Sequence, residues 1–226
     1  RRSVFHWAVG ALAGLALAPA AFAQAPAYPS KPITIVVGYP PGGSTDLMGR
    51  MVGTELSNRL GQPVVIENIG GAGGAIGAQK VASAQPDGYT LLVGASNELA
   101  INKLVTKKVK YDIKDFTAIG LVASQPLVLV ASPASGVKNA ADFIQLVSKN
   151  PGKYSYGSSG VGTSLHLAGE MLKSQGKLLM THIPYRGVAP LTNDLVGNHL
   201  EFGLFVLSSG LPQINSGKVN PLSTTA

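Results

Sequence analysis

The stretch ITIVVGYPPGGSTDLMGRMVGTELSNRLG, residues 33–61, carries the pattern that decides the fold class. Residues 33–39 form an unbroken apolar run rich in β-branched side chains, as expected of a strand buried on both faces. Leu47, Met48, Met51, Val52, Leu56 and Leu60 then recur at helical spacing and end at Gly61, a natural helix stop. Between strand and helix lies the loop Tyr39-Pro40-Pro41-Gly42-Gly43-Ser44-Thr45-Asp46. Strand, glycine loop and helix make one α/β unit.

The alternation continues outward. Strands are predicted at 64–69 and 89–95 with a helix over 75–84 between them, giving a first lobe over 24–123. Strand-like segments at 116–123 and 126–132 mark the crossing into a second lobe over 124–218. There the pattern predicts helices over 140–149, 164–175 and 188–196, and strands over 153–158, 181–185 and 200–206. Residues 219–226 start a strand expected to return toward the first lobe.

Composition agrees with this class. The 226 residues are 45% hydrophobic, enough for packed cores, and 28 glycines with 15 prolines suit many tight loops. A coiled coil and wholesale disorder are excluded. The formal charge of +7 falls to about +5 once Arg1 and Arg2 are set aside. Lys103, Lys107, Lys108, Lys110 and Lys114 cluster, yet no nucleic-acid motif accompanies them. They read as a solvated loop face, and no nucleic-acid partner is expected.

Residues 1–23 read as a secretory signal peptide. Basic Arg1 and Arg2 precede an apolar run over 4–18 without acidic residues, and Ala21, Phe22 and Ala23 form a small-residue cleavage pattern before Gln24. The run is too short to span a membrane and is closed by Pro19. A mature chain starting at Gln24 in the periplasm is expected. The absence of cysteine fits an exported protein that needs no disulfides.

Two loops suit an anion. In the first, glycines let the backbone turn inward, and the helix that follows leaves unpaired N–H groups and a partial positive charge at the strand's carboxyl end. Positive φ is expected in this loop, Gly43 included. The alternative is an ordinary cap, with Ser44 capping and Asp46 complementing the dipole. Ser158-Ser159-Gly160-Val161-Gly162-Thr163-Ser164 repeats the arrangement in the second lobe, with His166 in the first turn of its helix as a ligand contact or a structural residue. Two such loops in two lobes suggest a cleft between them. The glycine tract 70–77 fails the dinucleotide fingerprint because Ile76 stands where glycine is needed, and neither a P-loop nor HExxH occurs. A nucleophile elbow around Ser159 would need glycine at Val161. No catalytic residue, cofactor or metal site is expected.

The runs YPSKPITIVVGYPPGGSTDLMGR, VVIENIGGAGGAIGAQKVASAQPDGYTLL, YDIKDFTAIGLVASQPLVLV, YSYGSSGVGTSLHLAGEML and HIPYRGVAP cover nearly all of 28–200 in order. Together they resemble the Bug family of substrate-binding receptors of tripartite tricarboxylate transporters. The resemblance implies an α/β fold of the type II periplasmic binding protein class, two lobes joined by crossing strands. It implies a small carboxylate clamped by backbone N–H groups, hydroxyls and waters rather than by an arginine fork: a di- or tricarboxylate, an amino acid or an aromatic acid. Carried over by position, Tyr39, Gly43, Ser44, Thr45 and Asp46 form the first-lobe wall, which Ser96 and Asn97 close. Ser159, Gly160, Gly162, Thr163, Ser164 and His166 supply the second-lobe grip, with Tyr185 and Arg186 at the rim. The implied partners are integral-membrane transporter subunits, the implied state is a monomer, and further C-terminal sequence is implied to complete the first lobe. A sensing receptor for a membrane kinase and a small-molecule enzyme on the same scaffold are the rival readings. This chain departs from the family at Asn97 and Glu98, where a small residue and a His are common, and around Phe205 and Val206, where an acidic residue is common. These departures bear on which carboxylate is bound.

Overall fold

The computed structural model describes residues 27–225, so the signal peptide expected over 1–23 lies outside the described residues. The first sheet has β1 (Ile33–Val37) at its centre, parallel to β2 (Val64–Asn68) on one side and β3 (Thr90–Val93) on the other. The central place follows from composition: Ile33, Ile35, Val36 and Val37 are all 0% exposed, and only a strand with neighbours on both edges and helices on its faces achieves that.

Helix α1 (Ser44–Leu60) follows β1 and ends at Gly61, whose φ of 67° turns its N–H onto Ser57 O at 3.0 Å. Its contact face differs from what the apolar spacing suggests. Met51 is 60% exposed, whereas Gly49 and Gly53 are buried against the sheet. A Cβ at Gly49 would come within 2.8 Å of Val37 Cγ2, and one at Gly53 within 2.9 Å of Ile66 Cδ1. The glycines let the helix axis approach closely, so part of the apolar set is left outside.

Helix α2 (Ala75–Ala82) links β2 to β3, and after β3 a π-turn, Asn97–Ile101, runs into the short helix α3 (Asn102–Val105). The strand expected at 116–123 is not formed. Residues 117–126 have no regular structure, and Ile119 and Leu121 are 84% and 87% exposed. The segment has strand-like composition, but no described strand pairs with it, and a strand exists only through its ladder.

The second sheet runs β6-β5-β7-β4-β8. Its strand β4 (Leu127–Ala131) lies antiparallel to β7 (Phe202–Val206) and β8 (Asn220–Thr224), while β5 (Ser155–Ser158) runs parallel to β6 (Thr181–Pro184) and β7. The strand expected from 219 onward is thus present as β8, and among the described residues it pairs with β4. Helices α4 (Ala140–Lys149), α5 (Ser164–Gly176), α6 (Val188–Val196) and α7 (Leu207–Asn215) complete this part. One core joins Phe143 and Phe202, edge to face at 4.8 Å, with Leu165 and Met180; another joins Val128, Val130, Leu191, Leu195 and Phe205. Helix α7 was not anticipated from the sequence, which has Pro212 inside it.

Alanine normally favours a helix interior over glycine by about 1 kcal/mol. At Gly49 the added methyl meets a stiff β-branched side chain, so Gly49→Ala is expected to lower the unfolding free energy by about 1–3 kcal/mol. Met51→Ala on the exposed side is expected to stay within about 0.5 kcal/mol of wild type. Urea denaturation of the two variants checks both.

Candidate functional site

Asp46 shapes the first loop from within. It is 4% exposed, and its carboxylate accepts from Gly42 N–H at 3.0 Å, Arg50 Nε at 3.1 Å and Asn68 Nδ2 at 2.9 Å. Burial alone would raise its pKa, but the hydrogen bonds from Arg50, Gly42 and Asn68 outweigh it and hold the carboxyl below its usual range. Gly42 takes the positive φ, 92°; Gly43 is extended at −87°, contrary to expectation, and a Cβ there would meet nothing within 4 Å. Gly43 is also the N-cap residue, so Ser44 does not cap and no side chain does. The first N–H of α1 to find a backbone acceptor is that of Leu47, on Gly43 O at 3.0 Å. The earlier N–H groups, those of Ser44, Thr45 and Asp46, have no hydrogen-bond acceptor among the described residues, which is the usual condition of a helix start.

In the second loop several donors find partners, some within the loop and one from another segment. Thr163 Oγ1 donates to Gly160 O at 2.8 Å and accepts from His166 N–H at 3.3 Å, and His166 Nδ1 accepts from Gly162 N–H at 3.1 Å. Ser164 N–H donates to Asn97 Oδ1 at 2.7 Å, and Asn97 Nδ2 donates to the Tyr39 hydroxyl at 2.6 Å. Asn97 and Tyr39, 5% and 9% exposed, therefore join the two loops. Ser158, not Ser159, holds a histidine: its Oγ lies 2.7 Å from His182 Nε2, and the His182 ring stacks on His166 at 4.2 Å. Burial pushes His182 down to about 4. Ser158 is 0% exposed, so this pair supports the loop rather than presenting a nucleophile.

Of the remaining expected residues, Ser159 is buried and Ser96 is exposed. Tyr185 donates its hydroxyl to Asp194 Oδ2 at 2.6 Å, and Arg186 is exposed, with no hydrogen bond or ion pair to another described residue. Beside Asn97, Glu98 is 1% exposed; its Oε2 accepts from Ala95 N–H at 3.1 Å, and its Oε1 has no partner of hydrogen-bond geometry among the described residues. Burial pushes Glu98 up to about 7.

The first loop opens on a cavity of about 360 Å³. Gly43, Ser44 and Asp46 of the expected set line it, together with the first turns of α6 (Val188, Ala189) and α7 (Ser208, Ser209). None of α1, α6 and α7 has a side-chain cap. The buried Ser208 hydroxyl has no hydrogen-bond partner among the described residues. Residues of α6 and α7 were missed by sequence reasoning; the signal was the same one read at Ser44, small or hydroxyl residues at a strand-to-helix junction. A hollow of about 430 Å³ between α1 and β2, lined by Thr54, Ser57 and Val64 among others, is a weaker candidate because no helix begins there. Among the described residues no cluster of three metal-ligating side chains occurs.

Comparison with known proteins shows the family. The family described as the tripartite tricarboxylate transporter family receptor matches residues 48–226. Protein BugT of Bordetella pertussis is 34% identical over 218 residues, covering 94% of this chain and 67% of its own. Among solved structures, R. palustris Rpa4515 with adipate has a TM-score of 0.86 at 33% identity, covering 88% of this chain and 67% of that one. MatC from Rhodopseudomonas palustris with bound malate has a TM-score of 0.82 at 30% identity, covering 88% and 68%. The chain spans 65%, 64% and 57% of the lengths of three further curated relatives, from Pseudomonas, Bordetella pertussis and Agrobacterium vitis.

The buried Glu98 gives a pH signature. A carboxyl raised from 4.5 to about 7 keeps its proton in the folded state, so its stabilising contribution is complete below about 4.5 and is lost as pH rises through 7. Glu98→Gln is expected to match wild type near pH 4.5 and to exceed it at pH 8 by an amount of order 3 kcal/mol. Denaturation midpoints of both proteins across this range check it; a constant gap refutes it.

Proposed function

The chain belongs to the tripartite tricarboxylate transporter receptor family, and on that premise we propose that it captures a small organic carboxylate for delivery to a membrane transporter. The observation that carries this reading is the convergence of three uncapped helix starts, α1, α6 and α7, on one cavity of about 360 Å³. A helix start supplies N–H donors and partial positive charge without a mobile cation, and a carboxylate satisfies both.

In this reading one carboxylate lies on the N–H groups of Ser44, Thr45 and Asp46, and the rest of the ligand extends toward Thr192, Ser208 and Ser209. The Asp46–Arg50 pair is neutral as a unit, with Arg50 Nη2 3.0 Å from Asp46 Oδ1, so it neither repels the ligand strongly nor replaces its contacts. Relatives that hold adipate and malate support a small organic carboxylate as the ligand class. The protein acts as a periplasmic receptor exported by its signal peptide, not as an enzyme, works as a monomer, and has transporter subunits in the membrane as partners. The loop 158–164 and the residues Tyr39 and Asn97 form the frame around the site, and Arg186 lies apart from it.

A thermal-shift screen of carboxylates tests the reading, because a ligand that binds only the native state raises apparent stability. Gly43→Val is the discriminating variant. Its side chain enters open space at an ordinary φ, so the expected stability cost is only that of a poorer N-cap, under about 1 kcal/mol, while binding falls at least about tenfold, 1.4 kcal/mol. Arg186→Ala is expected to leave affinity within about twofold of wild type. Loss of binding in Arg186→Ala with Gly43→Val unaffected overturns the backbone cradle.

A further inference from the structure

The two anion-ready loops are not equivalent. At α1 the first-turn N–H groups face a cavity, whereas at α5 the Ser164 N–H already holds an oxygen, Asn97 Oδ1, at 2.7 Å. That amide is fixed at its other end by the Tyr39 hydroxyl at 2.6 Å, which itself donates to Gly73 O at 3.1 Å. Thr163 takes a further donor of the same turn, His166 N–H, which leaves Leu165 N–H between them. There is also no room beside it: a Cβ at Gly162 would lie 2.5 Å from Val105 Cγ2, and no residue of 158–164 lines the 360 Å³ cavity.

We propose that Asn97 is the protein's own occupant of the second anion site, a specificity-determining residue that excludes a ligand carboxylate from the start of α5. An amide oxygen satisfies the N–H and part of the helix field without bringing a charge, and its second hydrogen bond, to Tyr39, keeps it in place. A ligand with a carboxylate at that end has to displace a buried, doubly bonded side chain. A ligand whose far end is neutral, or turned toward α7, does not. The inference rests on the receptor reading and specifies it: the chain takes one carboxylate at α1 and discriminates against a second at α5.

The test compares succinate and glutarate with their monoamides by calorimetric titration of the wild-type chain, Asn97→Ala and Asn97→Asp. Wild type is expected to bind the monoamides at least as tightly as the diacids. Asn97→Ala frees the α5 donors and shifts the ratio toward the diacids by about tenfold, the worth of one charge-assisted hydrogen bond. Asn97→Asp keeps an oxygen at Ser164 N–H and adds a charge, so it shifts the ratio the other way and covers the case in which the alanine variant fails to fold. Equal ratios in wild type and the folded variants overturn the inference while leaving the receptor reading intact. If no carboxylate binds any of the three, the receptor reading falls and the inference with it.

Discussion

The carboxylate of Asp46 fixes the geometry on which the site depends. An acidic residue in the first turn of a helix usually lies near the N-terminal N–H groups and offsets their partial charge. Here it turns back to hold Gly42 N–H, Asn68 and Arg50, so the strand-to-helix loop is braced from inside and its outward donors stay vacant. Arg50, one turn along the same helix, cancels the charge of Asp46. The balance matters because an unpaired anion this close would work against the binding of another.

The second loop shows the opposite solution to the same problem. Every helix start has orphan N–H groups, and a buried one must be satisfied by something. At α5 the partners are Thr163 and Asn97, and the latter comes from the segment after β3. The two sheets are thereby connected by hydrogen bonds of ordinary strength, each worth about 0.5–1.5 kcal/mol net. That is enough to bias an arrangement of the loops and too little to lock it. A ligand shifts such an equilibrium only by the contacts that differ between its arrangements.

Much of this was legible in the sequence. Helices over 140–149 and 188–196 were placed to the residue, because their apolar periodicity and flanking breakers agree. The strand-glycine-helix unit was legible as β1, its loop and the start of α1, since an apolar run, a glycine break and helical periodicity follow one another there. Three things were not legible. Periodicity located α1 but not its buried face, because Gly49 and Gly53 contribute no hydrophobicity and yet set the closest approach. Residues 116–123 have the composition of a strand, but composition does not supply a partner. The occupation of Ser164 by Asn97 joins residues 67 positions apart, a relation that no local pattern encodes.

The unpaired segment between the sheets has a further effect. Among the described residues no backbone amide from 117 to 126 donates to another backbone group, so these N–H groups are open to solvent catalysis of hydrogen exchange, while those of β1 are locked in their ladders. A protease cutting near Leu121 would meet extended, accessible chain and would sever the link that runs from the first sheet into β4. Contacts such as the Asn97–Ser164 bond and Val105 beside Gly162 would then be left to join the two sheets without the chain, so the behaviour of a nicked sample would report how strongly the sheets associate.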